Sequence, residues 1–235
     1  MGYSFESYVR YSETGEDGKL TIPGILNYFQ DCCTFHSESI GQGMEVLMGR
    51  KRAWVLSSWQ VIINRYPKLA EHITVTTAPY AFRGFTGNRN FTMVTDDGEM
   101  LAYANTFWTH INMETGLPQK LTLEDTNGYE VCPKLEMDYA PRKIAVPEKM
   151  QAGEAFVVQK HHLDTNHHVN NCQYVCMAED YLPKGSHVRQ LRVEYKQQAR
   201  LHDKIVPEAA VHDDLVTVAL NDTEGKPYAV VEFAL

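Results

Sequence analysis

Long apolar runs are missing from this 235-residue chain. The longest apolar-rich stretch, Ala53 to Ile63, is broken by Ser57, Ser58 and Gln60. It reaches only about half of the ~20 residues that a membrane helix needs, so no membrane segment is expected. Paired cysteine motifs are missing as well. The five cysteines, Cys32, Cys33, Cys132, Cys172 and Cys176, are odd in number with no C-x-x-C pair. That predicts free thiols in a reducing compartment in place of a disulfide framework. Basic excess is also lacking. The formal charge is −8, whereas phosphate neutralisation needs a concentrated Lys/Arg surface, so nucleic acid is not an expected partner. The opening residues Met1-Gly2-Tyr3-Ser4-Phe5-Glu6 resemble neither a secretion signal nor an Arg-rich transit peptide, which makes a cytoplasmic location the expectation. With 43% apolar and 22% charged residues, the composition is that of a folded globular protein. At roughly 150 residues per domain, one large domain or two small ones remain open.

What is present is organised twice. Thr21 ahead of Pro23 gives an N-cap with proline near the first helical position. Ile22, Ile25, Leu26, Phe29 and Cys33 then recur at three-and-four spacing, and Gly41 closes the segment. A second helix is predicted from Val169 to Leu182, with Tyr174, Val175, Ala178, Tyr181 and Leu182 on one face and Pro183 plus Gly185 ending it. Nearly everything else reads as strand. Trp54–Ile63, Ile73–Thr77, Phe91–Thr95 and Leu101–Ile111 form one group, and Leu191–Ala199, Ile205–Val211, Val216–Leu220 and Tyr228–Leu235 the other. Asp96-Asp97-Gly98 and Asn221–Pro227 are turns.

The two groups correspond. Phe5–Tyr11 leads to the first helix as Phe156–His162 leads to the second. Phe91-Thr92-Met93-Val94 with Tyr103-Ala104 matches Val216-Thr217-Val218-Ala219 with Tyr228-Ala229. A repeat this long is a duplicated domain, not a solenoid. Asp125–Met150, carrying Pro133, Pro141 and Pro147 among charged residues, reads as a connector. The expected plan is residues 1–124, connector 125–150, and residues 151–235. A long helix followed by an antiparallel sheet that can wrap it is the plan of the hotdog fold. Two copies make an α+β double hotdog, in which pairing the sheets edge to edge removes the exposed edge of a single copy.

Chemistry concentrates at the start of the second helix, in His161-His162-Leu163-Asp164-Thr165-Asn166-His167-His168-Val169-Asn170-Asn171, which holds four of the ten histidines. In an extended loop the alternating Asp164, Asn166 and His168 would project to one side, toward the N–H groups of the helix start. A carboxylate, an amide, an imidazole and a helix N-terminus together can activate water and stabilise an oxyanion. The same residues also read as a helix cap flanked by surface histidines, because Asp and Asn are the best N-caps. A metal site is the rival reading, since His168, Cys172 and Cys176 at i, i+4 and i+8 would share a helix face near His161, His162 and His167. The spacing matches no C-x-x-C or H-E-x-x-H pattern, and neither metal nor cofactor is expected.

This segment resembles the acyl-acyl carrier protein thioesterases, the plant fatty-acyl chain terminators and their bacterial relatives. Their Asp-x-Asn-x-His-Val-Asn-Asn signature stands complete at Asp164-x-Asn166-x-His168-Val169-Asn170-Asn171, followed by Tyr174. The similarity extends through Tyr8–Gly15, Leu26-Asn27-Tyr28-Phe29-Gln30, His36-Ser37 and Trp54-Val55. It continues through Arg65-Tyr66-Pro67, Val75-x-Thr77, Arg89-Asn90-Phe91 and Ala104-x-Thr106-x-Trp108. The resemblance implies hydrolysis of the thioester between a fatty acyl chain and the phosphopantetheine arm of acyl carrier protein, with Asp164, Asn166 and His168 catalytic. A further catalytic glutamate of plant relatives falls at Gln198 here. Glutamine can hold water or a carbonyl but cannot accept a proton as a carboxylate does. The base role then falls on Asp164 or His168, with Glu194, on the same strand face, as a lesser candidate.

The resemblance also places the acyl chain in the N-terminal hotdog, against residues such as Phe29, Trp54, Trp59 and Trp108, although aromatics at these spacings equally read as core. Plant relatives carry a targeting segment, so its absence implies a bacterial cytoplasmic enzyme. Two other functions suit the same fold: a non-catalytic acyl-thioester-binding protein and a hotdog dehydratase. The complete signature favours hydrolysis. An acidic carrier must dock on a chain of charge −8, and the candidate basic clusters are Arg50-Lys51-Arg52 and Arg192, Lys196, Arg200 with Lys204, each of which also reads as a solvated face. A duplicated chain already supplies a hotdog pair, so a monomer is expected and a homodimer stays open.

Overall fold

Period-two and helical patterns of the first half resolve into β1 (Tyr3–Tyr8), α1 (Ile22–Ser39), α2 (Met44–Gly49) and β2 (Arg52–Ile63), followed by β3 (His72–Arg83), β4 (Thr86–Val94), β5 (Met100–Asn112) and α3 (Leu123–Thr126). The coordinates are a computed structural model that describes residues 2–235. One unit runs to Ser57 and from Val61 to Tyr139; the other comprises Ser58–Gln60 and Ala140–Leu235. The second unit contains β6 (Gln151–Ala152), β7 (Phe156–Val157), α4 (Asn171–Glu179), β8 (Gln190–Tyr195), β9 (Lys204–His212), β10 (Leu215–Asn221) and β11 (Pro227–Ala234).

Helix α1 starts where Thr21 accepts a hydrogen bond from the Gly24 N–H at 3.1 Å, with Pro23 in the first turn. Its apolar face, including Ile25, Phe29 and Cys32, packs on β1 and β3. Phe29 is fully buried, its ring 5.3 Å from that of Phe91, among the equally buried Ile73, Val75, Met93 and Leu101. In the second unit α4 packs on β10 and β11, where Val216, Val218 and Val231 share one fully buried face. Strand order is β1-β3-β4-β5-β2 in the first unit and β8-β11-β10-β9-β6 in the second, with β7 also on β9. Strand by strand these are the same plan, with β7, α4 and β8 to β11 repeating β1, α1 and β2 to β5.

Several boundaries differ from the sequence reading. Strands β3 and β4 extend far beyond Thr77 and before Phe91, meeting at a two-residue turn whose Gly84 sits at φ +64°. Pro79, Gly84 and Gly87 masked that signal, and the register shift at Pro79/Ala81 absorbs the proline. The second helix is nine residues long, and β8 stops at Tyr195, short of Ala199. The repeat is also offset from the expected one. Five-residue turns follow Val94, paired with Met100, and Asn221, paired with Pro227. Phe91 therefore corresponds to Val218, not Val216. A two-residue slip keeps the same face inward, which alternation cannot detect.

Within residues 125–150, Leu135 N–H and Tyr139 Oη–H donate to Asn90 Oδ1 at 3.0 and 3.1 Å in the first unit. Buried Ile144 donates its N–H to Glu194 Oε2 at 3.1 Å in the second. Among the described residues no helix is long and apolar enough to cross a membrane, and the five cysteines are free thiols. Truncating Phe29 to Ala is expected to cost about 3–5 kcal/mol in urea denaturation of the full chain, because the α1–β4 contact cannot close over the missing ring.

Candidate active site

The signature residues occupy a tight turn, not an extended loop. A 3₁₀ turn at Lys160–His162 is followed by Asp164, whose N–H donates to His168 O at 2.9 Å, while the His167 N–H donates back to Asp164 O at 3.1 Å. His167 adopts φ +60° to close it. Asp164 Oδ1 accepts the N–H of Asn166 at 2.8 Å and, at the long distance of 3.4 Å, that of His168. One carboxylate oxygen is thereby held by the backbone. Asn166 and His167 are exposed, while Asp164 and His168 are half-buried. The alternation therefore runs through a tight turn, in which Asn166 is exposed and Asp164 and His168, two residues to either side, are half-buried.

The first unit contains the same turn without the chemistry. Gly15 N–H donates to Lys19 O at 2.9 Å and Gly18 N–H to Gly15 O at 3.0 Å, and Gly18 takes φ +71°. Gly15, Asp17 and Lys19 stand where Asp164, Asn166 and His168 stand in the second unit.

His168 is set by a neighbouring segment. Val169 N–H donates to Ala199 O at 2.9 Å, His168 bridges to Arg200, and Ala199 N–H donates to Tyr174 Oη at 2.9 Å. The His168 Nδ1 atom is buried and has no hydrogen-bond partner among the described residues. Burial lowers the pKa of the ring first, Arg200 adds to that and Asp164 opposes it, so the imidazole is neutral near pH 7. At the helix start, Asn170 Oδ1 accepts the Cys172 N–H at 2.8 Å and the Asn170 N–H goes to His162 O. Two of the N–H groups expected to face an oxyanion are thus already partnered.

Gln198 is exposed and lies beyond the end of β8, in the run that passes beside His168. Glu194 does not share a strand face with it. That carboxylate is 7% exposed, accepts the Ile144 N–H and pairs with Lys196 at 3.1 Å, which commits it to the connecting segment. His168 also precedes α4, so the i, i+4, i+8 face with Cys172 and Cys176 does not form. Among the described residues no group of three His, Cys, Asp or Glu side chains could hold a metal. Most of the candidate basic charges are paired: Arg50 with Glu124 at 3.0 Å, Lys51 with Glu114, Arg192 with Glu232 at 2.6 Å, and Lys196 with Glu194. Arg200 and Lys204 remain exposed.

Trp54 and Trp108 line a cavity of about 50 Å³ in the first unit, with Tyr129, Phe82 and Arg89. Phe29 lies in the core against Phe91, and Trp59 is buried. Sequence reasoning missed the polar group at this cavity, formed by Arg89, His36, Ser37 and Tyr129. Arg89 Nη1 donates to His36 Nδ1 at 2.9 Å, and the Ser37 and Tyr129 hydroxyls lie 2.7 Å apart. The alternation of Arg89 with Phe91 and Met93 was the available signal, since it places the arginine on the inward face.

Helix against antiparallel sheet, twice in one chain, with a polar turn launching the second helix, defines an α+β double hotdog protein. The chain belongs to the acyl-ACP thioesterase family, whose N-terminal domain model matches residues 2–129 and whose C-terminal domain model matches residues 146–228. It is 24% identical over 221 residues to a chloroplastic acyl-[acyl-carrier-protein] hydrolase of Cuphea viscosissima, an alignment covering 86% of this chain and 52% of that protein. The chain spans about half the length of the curated relatives it matches. Its fold is similar to that of an acyl-ACP thioesterase from Bacteroides thetaiotaomicron, with a TM-score of 0.88 at 21% identity over 98% of this chain and 96% of that one. It is similar also to the 12:0-ACP thioesterase of Umbellularia californica, with a TM-score of 0.83 at 19% identity over 99% and 96%.

Buried His36 of the first unit gives a pH prediction. Burial and then the Arg89 charge push the pKa of His36 down to about 4. Below its ordinary value near 6.5 the unfolded chain takes up a proton that the folded one refuses, so stability is full above that pH and is lost as pH falls toward 4. The difference in urea stability between wild type and His36→Gln is expected to shrink by up to about 3 kcal/mol from pH 7 to pH 4. A difference independent of pH would contradict a neutral buried His36.

Proposed function

We propose that the protein hydrolyses the thioester linking a fatty acyl chain to the phosphopantetheine arm of acyl carrier protein, releasing free fatty acid and holo-carrier. The observation that carries this reading is the turn itself, where a carboxylate pinned through Oδ1 by backbone N–H groups precedes a neutral imidazole with an unpartnered Nδ1. Family membership supports the reaction class.

In this reading Asp164 uses its second oxygen to hold and activate a water, and His168 positions that water and relays its proton. The water oxygen bonds to the thioester carbonyl carbon, and the carbonyl electrons move onto its oxygen. When they return, the C–S bond breaks and the sulfur leaves as a thiol after taking the relayed proton. Asn166, on the solvent side of the turn, orients the incoming thioester, while Gln198 hydrogen-bonds without accepting a proton. Trp54 and Trp108 contact the acyl chain, and Phe29 and Trp59 contribute as core. Arg200 and Lys204 meet the acidic carrier, because both are exposed while Arg50, Lys51, Arg192 and Lys196 are paired with carboxylates and Arg52 is half-buried.

Thiol release from a decanoyl-carrier substrate is expected to fall by about a hundredfold or more in Asp164→Asn and in His168→Ala, with circular dichroism unchanged. Near wild-type rates in both variants, or retention of the intact thioester by the wild type, would defeat the assignment. Arg200→Glu with Lys204→Glu is expected to raise KM for the acyl-carrier substrate and leave KM for an acyl-pantetheine unchanged.

A further inference from the structure

The first unit holds a buried cation for which the described residues provide no anion. Arg89, on β4, is 7% exposed. Its Nη1 donates to His36 Nδ1 at 2.9 Å and to Thr77 Oγ1 at 3.2 Å, and the guanidinium carbon lies 5.4 Å from the centre of the Tyr129 ring. A guanidinium only donates, so His36 Nδ1 accepts and the imidazole proton sits on Nε2. His36 is therefore neutral, Thr77 contributes a hydroxyl, and Tyr129 presents its ring. Among the described residues no carboxylate pairs with Arg89. Buried charges are ordinarily paired, because removing one from water without compensation is costly.

The same arginine lines the cavity whose walls include the aromatic rings of Trp54, Phe82, Trp108 and Tyr129, beside the polar Ser37 and Asn88. At about 50 Å³ it has room for a few water-sized groups. The walls depend on Gly87, where an added Cβ would lie 3.1 Å from Trp54 Cζ3 and 3.2 Å from Phe82 Cε1. An arginine has five N–H donors in a planar fork that matches a carboxylate, and the flat apolar walls suit methylene groups better than a fully polar anion such as phosphate.

We propose that this cavity binds the carboxylate of an aliphatic chain, its oxygens taking the remaining Arg89 donors and its first methylenes lying against Trp54, Phe82 and Trp108. The carboxylate has two sources: a free fatty acid, or an acyl thioester that carries a second acid group at its far end. Identifying these sources rests on the proposed thioester hydrolysis, whereas the binding itself is measured without turnover.

Trp54 and Trp108 provide the readout. Octanoate and 1-octanol are titrated into the full chain at pH 7, followed by tryptophan fluorescence and calorimetry. Octanoate is expected to bind roughly tenfold or more tightly than octanol, the worth of a charge-assisted hydrogen bond. Arg89→Met should erase that preference and Arg89→Lys should keep part of it. Equal affinity for octanoate and octanol in the wild type, which requires no variant to fold, overturns the proposal. So does an Arg89→Met protein with unchanged circular dichroism and unchanged octanoate affinity. A lower KM for the carrier monothioester of octanedioic acid than for octanoyl-carrier supports the far end of a substrate as the source. Inhibition by octanoate without that KM advantage supports the free acid. A chain that hydrolyses no thioester would fail the proposed function and leave the titration to decide this site.

Discussion

Two backbone hydrogen bonds of one kind, Gly15 N–H to Lys19 O and Asp164 N–H to His168 O, each 2.9 Å, close the turns that launch the two helices. Each turn needs a residue at positive φ, Gly18 in the first and His167 in the second. Each is tied to a crossing segment by the next residue, Leu20 N–H to Pro67 O at 2.8 Å and Val169 N–H to Ala199 O at 2.9 Å. The caps follow directly, with Thr21 and Asn170 turning their side-chain oxygens onto helix N–H groups. The helix start, the face each helix presents to its sheet, and the position of every side chain in the turn all depend on this closure. Because the backbone solves the turn, its side chains are free to differ. The first turn carries Gly15, Asp17 and Lys19, and the second carries Asp164, Asn166 and His168.

The two units diverge in the way they handle buried polarity. In the second, a half-buried imidazole is held neutral by burial and by the nearby Arg200, next to a carboxylate stabilised by the turn. In the first, the polar residues sit on the inward face of β4 and the apposed face of α1, where Arg89, His36 and Thr77 share hydrogen bonds under the Tyr129 ring. Duplication thus supplied two equivalent scaffolds. One concentrates acid–base groups at a helix start and the other concentrates a cation and aromatic walls inside the sheet.

Much of this was legible in the sequence. The cap at Thr21, the three-and-four recurrence through Phe29 and the signature from Asp164 to Asn171 are local features, and local hydrogen bonding decides them. Other features were not. Pro79 and Gly87 hid the extended β3–β4 hairpin, because strand propensity carries no information about a bulge that tolerates proline. The register of the repeat was misread by two residues, since a two-residue slip preserves the inward face. Gln198 and Glu194 were assigned to one strand, yet β8 ends between them at Tyr195, and Glu194 takes its partners from Ile144 and Lys196. The pairing of Arg50, Lys51, Arg192 and Lys196 with carboxylates was also invisible, because most of these partners lie forty or more residues away.

The sequence by itself determined the duplicated helix-and-sheet plan, the family and the residues offered for chemistry, because periodicity, capping and motif spacing are properties of short segments. Tertiary structure alone decided that the signature coils into a turn in which Asn166 is exposed. It also decided that, among the described residues, His168 Nδ1 is buried without a partner and Arg89 lines a cavity with no carboxylate paired to it. These outcomes depend on which distant strand shields a group from water, and solvation in a folded protein is set by neighbours in space, not in sequence.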